Sequence, residues 1–308
     1  MTAGRIDTHQ HVIPPNYRLL LDDRGLTAGG WPTPRWSPDE ALALMDSSDI
    51  ATGILSVSSP GVHLGAGTGG RAIARAVNTY TAELVKNRPD RFGHFASLPL
   101  PDIDGALEEA AHALDELGAD GIVLMSNADG KYLGDPIFEP LWEELDSRAA
   151  VVFIHPTSPP MQMLTGMPSP ILDFPFDTTR TAVHMVAKGV FRRHKRIRVI
   201  LSHGGGFLPY AAYRFVGAAQ FNPEIAPEEI FEDLQRFYFD TALSSTPVSM
   251  PSLLAFADPT RITYGSDFPF APSSRLFDTM LETYPMSDEQ RFAIDRGNAL
   301  ALFPRLKK

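Results

Sequence analysis

The chain has 308 residues, 44% hydrophobic and 21% charged, which is ordinary globular composition with ample length for a large core. Its formal net charge of −10, from 27 Lys and Arg against 37 Asp and Glu, argues against nucleic acid or an anionic membrane as partner, though not against a small anionic substrate at a locally positive site. Cysteine is absent, which excludes a disulfide framework and a thiolate ligand or nucleophile, so any metal must be held by His, Asp or Glu.

In chain order, the first predicted strand covers 4–9 and leads into Asp7-Thr8-His9-Gln10-His11. Alternate residues of a strand share a face, so the two imidazoles can converge on one point such as a metal ion. A Pro- and Gly-rich loop follows at 24–36. Ser37-Pro38-Asp39-Glu40 then opens a helix, with Ser as N-cap and Pro at the first helical position. Further strands are predicted at 52–57, 92–97, 120–125, 151–155, 197–202, 236–240 and 262–266, many of them β-branched or aromatic and bounded by Gly, Pro or Asp. Helical patterns lie between them at 68–87, 103–117, 136–148, 177–189, 207–217, 247–256 and 288–302. Loops rich in Pro and Gly occupy 58–70 and 156–176. The basic run Arg192-Arg193-His194-Lys195-Arg196 reads as the cap of a helix end.

No linker or charge block divides the chain, so residues 1–308 are expected to form one domain. Strands alternating with helices imply a parallel sheet, and eight of them at this length imply an α/β fold of the (β/α)8 TIM-barrel type, somewhat distorted. An open doubly wound sheet is the alternative. The long loops follow strands 1, 2 and 5, at the C-terminal face where such barrels build their sites. No basic segment followed by an apolar core marks the start, and no apolar run reaches transmembrane length, so a cytoplasmic protein is expected.

Polar residues then fall at matching places. His9 and His11 end strand 1, His155 ends strand 5, His203 ends strand 6 and Asp267 ends strand 8. One such residue is usually a loop hydrogen-bonder or a helix cap. Five at the same ends of four strands are hard to assign to caps alone. His112, His184 and His194 lie in helical stretches and read as surface or packing residues. His94 interrupts strand 3 and can face either way, and His63 sits in a loop where it could line a pocket.

These segments resemble the amidohydrolase superfamily, in particular its decarboxylase branch, typified by 2-amino-3-carboxymuconate 6-semialdehyde decarboxylase and the salicylate-type decarboxylases. The resemblance covers nearly the whole chain. It rests on Asp-Thr-His-Gln-His at 7–11, Ile-His-Pro at 154–156, Ser-His-Gly-Gly-Gly at 202–206 and Tyr-Gly-Ser-Asp-Phe-Pro at 264–269. The segments 30–36, 131–134 and 237–242 look most like 6-methylsalicylate decarboxylases. The resemblance implies that His9, His11, His155 and Asp267 bind one divalent metal, with His203 beside it as an acid–base group. Three imidazoles and a carboxylate suit zinc first, with Mn²⁺ as the other candidate. Two-metal relatives use a carboxylated lysine at the end of strand 4; here that strand ends Val123-Leu124-Met125-Ser126, and Lys131 falls later, in a loop, so one metal is expected.

The implied reaction is non-oxidative decarboxylation of an aromatic, phenolic acid with release of CO₂, the proton coming from Asp267 or His203. The resemblance further implies that Arg35 contacts the substrate carboxylate and that Arg214 reaches a neighbouring subunit's site in a homodimer. Trp31, Trp36, Phe174, Phe176, Phe268 and Phe270 are candidates for an apolar pocket wall. The same ligands could instead serve a hydrolase of a lactone, ester or amide, or a hydratase of an unsaturated acid. A purely scaffolding role is disfavoured by the completeness of the ligand set.

Overall fold

Eight strands form one parallel sheet: β1 (Arg5–His11), β2 (Ile50–Ser56), β3 (Phe92–Ser97), β4 (Gly121–Met125), β7 (Val151–His155), β8 (Arg198–Leu201), β9 (Tyr238–Asp240) and β10 (Ile262–Thr263). Two short antiparallel strands, β5 (Asn127–Ala128) and β6 (Lys131–Tyr132), make a hairpin just beyond β4. This computed structural model describes residues 4–65, 67, 69–221, 224–271 and 274–307. The sheet closes on itself: Thr8 N donates to Tyr264 O at 2.9 Å, Asp267 N to His9 O at 2.8 Å and His11 N to Phe268 O at 2.8 Å. Pairing of both edges makes the sheet a nearly closed α/β TIM barrel and disposes of the open doubly wound sheet.

Two apolar clusters follow from strand alternation. One packs the outer strand faces against the surrounding helices, with Leu55, Phe92, Leu124, Val152 and Leu201 among its members. The other fills the barrel interior with Ile6, Ile54, Phe95, Val123, Phe153 and Ile200. There it meets Ala299, Leu302, Phe303 and Leu306 of the C-terminal segment, which plug the end of the barrel opposite the strand C-termini. Ile6 belongs to this interior cluster, yet the His9 ring also meets interior Phe153 edge-on, with ring centroids 4.9 Å apart. Residues three apart face opposite ways in a regular strand; the register shift between Asp7 and Gln10 turns His9 and His11 inward.

The helices depart from expectation in several places. Helices Pro15–Asp23, Pro227–Leu234 and Ser274–Thr283 were not predicted. The helix expected over 177–189 begins at Ser169, because Pro170 fits a first helical turn and Pro175 is carried inside the helix. Thr68, the first residue of the expected 68–87 helix, lies outside the described residues; the helix runs Gly70–Asn87. Lys131, itself exposed, is on the β5–β6 hairpin rather than in an irregular loop. The basic run closes the short helix Val190–Arg193: Arg192 pairs with Asp233 at 2.5 Å and Arg193 with Glu139 at 2.7 Å.

His94 faces outward from β3, on the side opposite interior Phe95. It is fully buried, and neither ring nitrogen has a hydrogen-bond partner among the described residues. Burial pushes its pKa down to about 4. The unfolded chain therefore binds one more proton than the folded chain between pH ~6.5 and ~4. Folded stability is full above the unfolded value and falls as the pH drops through that window, by about 3 kcal/mol in total. Urea titrations at pH 7 and pH 4 should show this loss, and His94→Met should remove that part of it; an unchanged pH dependence in the variant would sink the assignment.

Candidate metal centre and active site

β1, β7 and the loop after β10 bring His9, His11, His155 and Asp267 together at the C-terminal end of the barrel, all four buried, with one ligand atom of each within 4.8 Å of the others. His9 Nε2 and His11 Nε2 lie 3.1 Å apart, and Asp267 Oδ1 lies 3.3 Å from the first and 3.1 Å from the second. The His155 ring centroid is 5.3 Å from that of His9 and 4.8 Å from that of His11. His203 stands beside the cluster, its Nε2 3.5 Å from Asp267 Oδ2. These are the five residues singled out in the sequence.

Each imidazole in the cluster has an oxygen acceptor on its outer side. His9 Nδ1 donates to Asp240 Oδ2 at 2.8 Å, His11 Nδ1 to the Ser56 carbonyl at 3.2 Å and His155 Nδ1 to the Pro156 carbonyl at 2.8 Å. With the proton on Nδ1, every Nε2 turns a lone pair inward, toward the other lone pairs and a carboxylate. Four donors facing each other in a buried space repel unless a cation lies between them, so the donor set fits one divalent metal. The end of β4 offers no further ligand; Met125 and Ser126 stand there, and Ser126 Oγ donates to buried Asp177.

Asp240 was not singled out in the sequence, and it is central here. Fully buried at the end of β9, it accepts from His9 Nδ1 through Oδ2 and from the His203 backbone N–H through Oδ1, at 2.9 Å. One carboxylate thus sets both the tautomer of His9 and the seat of His203. Asp240→Asn is expected to weaken metal binding about 10–100-fold, read by titrating metal into the stripped protein; an unchanged affinity would remove Asp240 from the centre. Asp7 is a second buried carboxylate: it accepts from Ser266 Oγ at 2.6 Å and from the His9 N–H at 3.0 Å, tying β1 to the segment before Asp267.

His203 and Asp267 both adopt left-handed backbone, φ 54° and 59°. Such conformations are uncommon outside glycine, though Asp and His accept them more readily than most, and they collect at functional sites. The glycines after His203 permit the sharp exit of the chain. A Cβ on Gly206 would sit 2.1 Å from the Pro175 carbonyl oxygen.

The cluster opens into a cavity of about 530 Å³ lined by His155, His203 and Asp267 at its floor and by Trp31, Phe174 and Phe270 among its walls. Phe270 meets the His11 ring edge-on at 5.4 Å and Phe174 meets His155 at 6.2 Å. Of the aromatic wall candidates, Trp36, Phe176 and Phe268 are not part of the lining. Arg35 is exposed and outside the lining, although Ala28 and Trp31 of its loop are within it. Arg214 is exposed on helix Leu208–Phe215. No lysine or arginine lines this cavity among the described residues. His63 lines a separate cavity of about 320 Å³ on the same face.

Comparison with known proteins agrees with this geometry. The Amidohydrolase family profile matches residues 6–305. A decarboxylase from Aspergillus niger is 42% identical over 98% of this chain and 88% of its own length. A 6-methylsalicylic acid decarboxylase from Penicillium expansum is 38% identical over 99% of this chain and 97% of its own. Among solved structures, a dihydroxybenzoic acid decarboxylase from Polaromonas sp., with bound manganese and the inhibitor 2-nitroresorcinol, superposes with a TM-score of 0.82 at 25% identity, covering 100% of this chain and 98% of the other.

Proposed function

The chain belongs to the amidohydrolase family, and on that premise we propose that it is a metal-dependent, non-oxidative decarboxylase of a phenolic aromatic acid, a carbon–carbon lyase. The observation that carries this reading is the convergence of three inward-facing imidazole lone pairs and the Asp267 carboxylate beneath a largely apolar cavity of about 530 Å³. The relatives that share this architecture over nearly their full length are decarboxylases. Hydrolysis of a lactone, ester or amide has no such support.

His9, His11, His155 and Asp267 would hold a divalent ion, which would supply Lewis acidity toward the bound phenolic acid. The residues around it manage the proton. The ring carbon bearing the carboxylate must form a C–H bond before the carbon–carboxylate bond breaks, its electron pair returning to the ring as CO₂ leaves. Asp267 Oδ2 and His203 Nε2, 3.5 Å apart at the cavity floor, hold that proton between them. The walls Phe174 and Phe270 flank the ring and exclude water from the carbon being protonated. Zinc follows from the donor set and manganese from the Polaromonas relative. We take manganese as the working ion, because a related decarboxylase binds it beside a substrate-like inhibitor.

Arg35 and Arg214 are assigned to the substrate carboxylate. Arg35 lies in the loop that also supplies Ala28 and Trp31 to the cavity. Arg214 shares its helix with Tyr210 and Tyr213, each 83% exposed, a surface suited to a second copy of the chain; a homodimer would let Arg214 serve the partner's cavity. A monomer by light scattering at assay concentration overturns the shared site.

The test of the function is CO₂ release from a panel of hydroxybenzoates that includes 6-methylsalicylate, with metal content measured on the same sample. Release that stops on chelation and returns with metal is expected. A metal-replete enzyme that releases none overturns the decarboxylase reading.

A further inference from the structure

The cavity is larger and more apolar than a small hydroxybenzoate requires. A one-ring acid has only about a dozen heavy atoms, whereas cavities of roughly 300–1,000 Å³ hold drug-sized ligands. This one measures about 530 Å³. Its charged and imidazole groups, His155, His203 and Asp267, are gathered at the floor. From there the wall is apolar outward, through Phe174 and Phe270, which touch the metal-site imidazoles, to Ile171 and Leu243 at the mouth, 59% and 36% exposed.

Leu243 is held there against its conformational preference. Ser244 N donates to Thr241 O at 3.0 Å, which closes a four-residue turn and makes Leu243 its third residue, with φ 53°. That position normally takes glycine or asparagine, and a bulky residue at positive φ is an outlier. A leucine kept in this conformation, partly open to water, at the mouth of the cavity points from strain to use.

Resting on the decarboxylase reading above, we propose that the acid taken here is a 2-hydroxybenzoate bearing one apolar substituent longer than a methyl group and no second charged group. The substituent lies along the wall that ends at Leu243. No lysine or arginine is in the described lining of one chain, and the two arginines assigned above are taken by the first carboxylate, which leaves a second carboxylate without a partner inside the cavity.

The experiment uses the full chain loaded with Mn²⁺ and 6-substituted salicylates carrying hydrogen, methyl, propyl or pentyl. It records kcat/KM from CO₂ release and Kd by calorimetry. Burial of each added methylene should raise kcat/KM about fourfold, so pentyl should exceed methyl on the order of 10²-fold. In Leu243→Asn, a residue that accepts the left-handed backbone, the pentyl-to-methyl ratio should fall at least about tenfold while the melting temperature holds. Turnover of 6-methylsalicylate with rejection of the longer chains would overturn the proposal and leave the decarboxylase reading standing. So would an unchanged ratio in Leu243→Asn, as regards the role of that leucine. If no acid releases CO₂, the decarboxylase reading fails and Kd alone decides: tightening with chain length supports the apolar channel, and its absence overturns that as well.

Discussion

Replacing Asp267 by Asn is expected to lower kcat by about 10²–10⁴-fold at saturating metal, the range typical of a lost acid–base group. The carboxylate does two things that an amide cannot. Its Oδ1 faces His9 and His11 as the one anionic donor in the cluster, and its Oδ2 faces His203, with which it shares the proton in the proposed reaction. The substitution is close in shape, and asparagine accepts the left-handed backbone that residue 267 adopts. A folded, inactive protein is therefore the expected result, with circular dichroism and melting separating loss of chemistry from loss of structure. His203→Asn shares the same advantage, since His203 has φ 54°. Measured together, the two variants apportion the proton: the group that delivers it directly should cost more when removed. Turnover within tenfold of wild type in Asp267→Asn at saturating metal would take Asp267 out of the reaction.

Stripping the metal should have the second large effect, on activity and stability at once. Turnover should vanish on dialysis against a chelator and return on adding Mn²⁺ or Zn²⁺. Because the ligand atoms are assembled only in the folded barrel, the ion binds the native state and stabilises it by roughly 3–4 kcal/mol at 100 to 1,000 times its Kd. The stripped protein must instead keep three lone pairs and a carboxylate packed within 4.8 Å of one another, or take up a proton among them. A melting temperature several degrees lower in the stripped form, restored by metal, is the expected reading. Identical melting curves with and without the ion would mean that this cluster is not where it binds.

The barrel was legible in the sequence because its strands announce themselves locally. Many are short β-branched or aromatic runs bounded by Gly, Pro or Asp, and the eight barrel strands begin within two residues of the predicted ones, although the last, Ile262–Thr263, ends three residues early. The five site residues were legible for a related reason: polar residues that end buried strands need an explanation. Asp240 obeys the same rule, ending β9 in Phe239-Asp240-Thr241, and applying it to that strand would have found it. What hid it is that its value lies in a hydrogen bond to His9, 231 residues away. The missed helices have weaker signals. Pro15–Asp23 opens on the second of two prolines and buries only Tyr17 and Leu21, and Pro227–Leu234 has eight residues, too few to establish a period. The early start of helix Ser169–Ala187 was masked by Pro170 and Pro175, which read as breakers until tertiary packing holds the turn together.

The plug at the far end of the barrel has a kinetic consequence. Ala299, Leu302, Phe303 and Leu306 close that end with packed hydrocarbon, so in the proposed reaction the ion, the acid, the phenol and carbon dioxide would share the cavity mouth. Traffic through one doorway is ordered: the ion must arrive before the acid and can depart only after the organic product has gone. An enzyme saturated with a slow substrate should therefore surrender its metal to a chelator more slowly than an idle one, and the cell's supply of the acid becomes a guard on the ion.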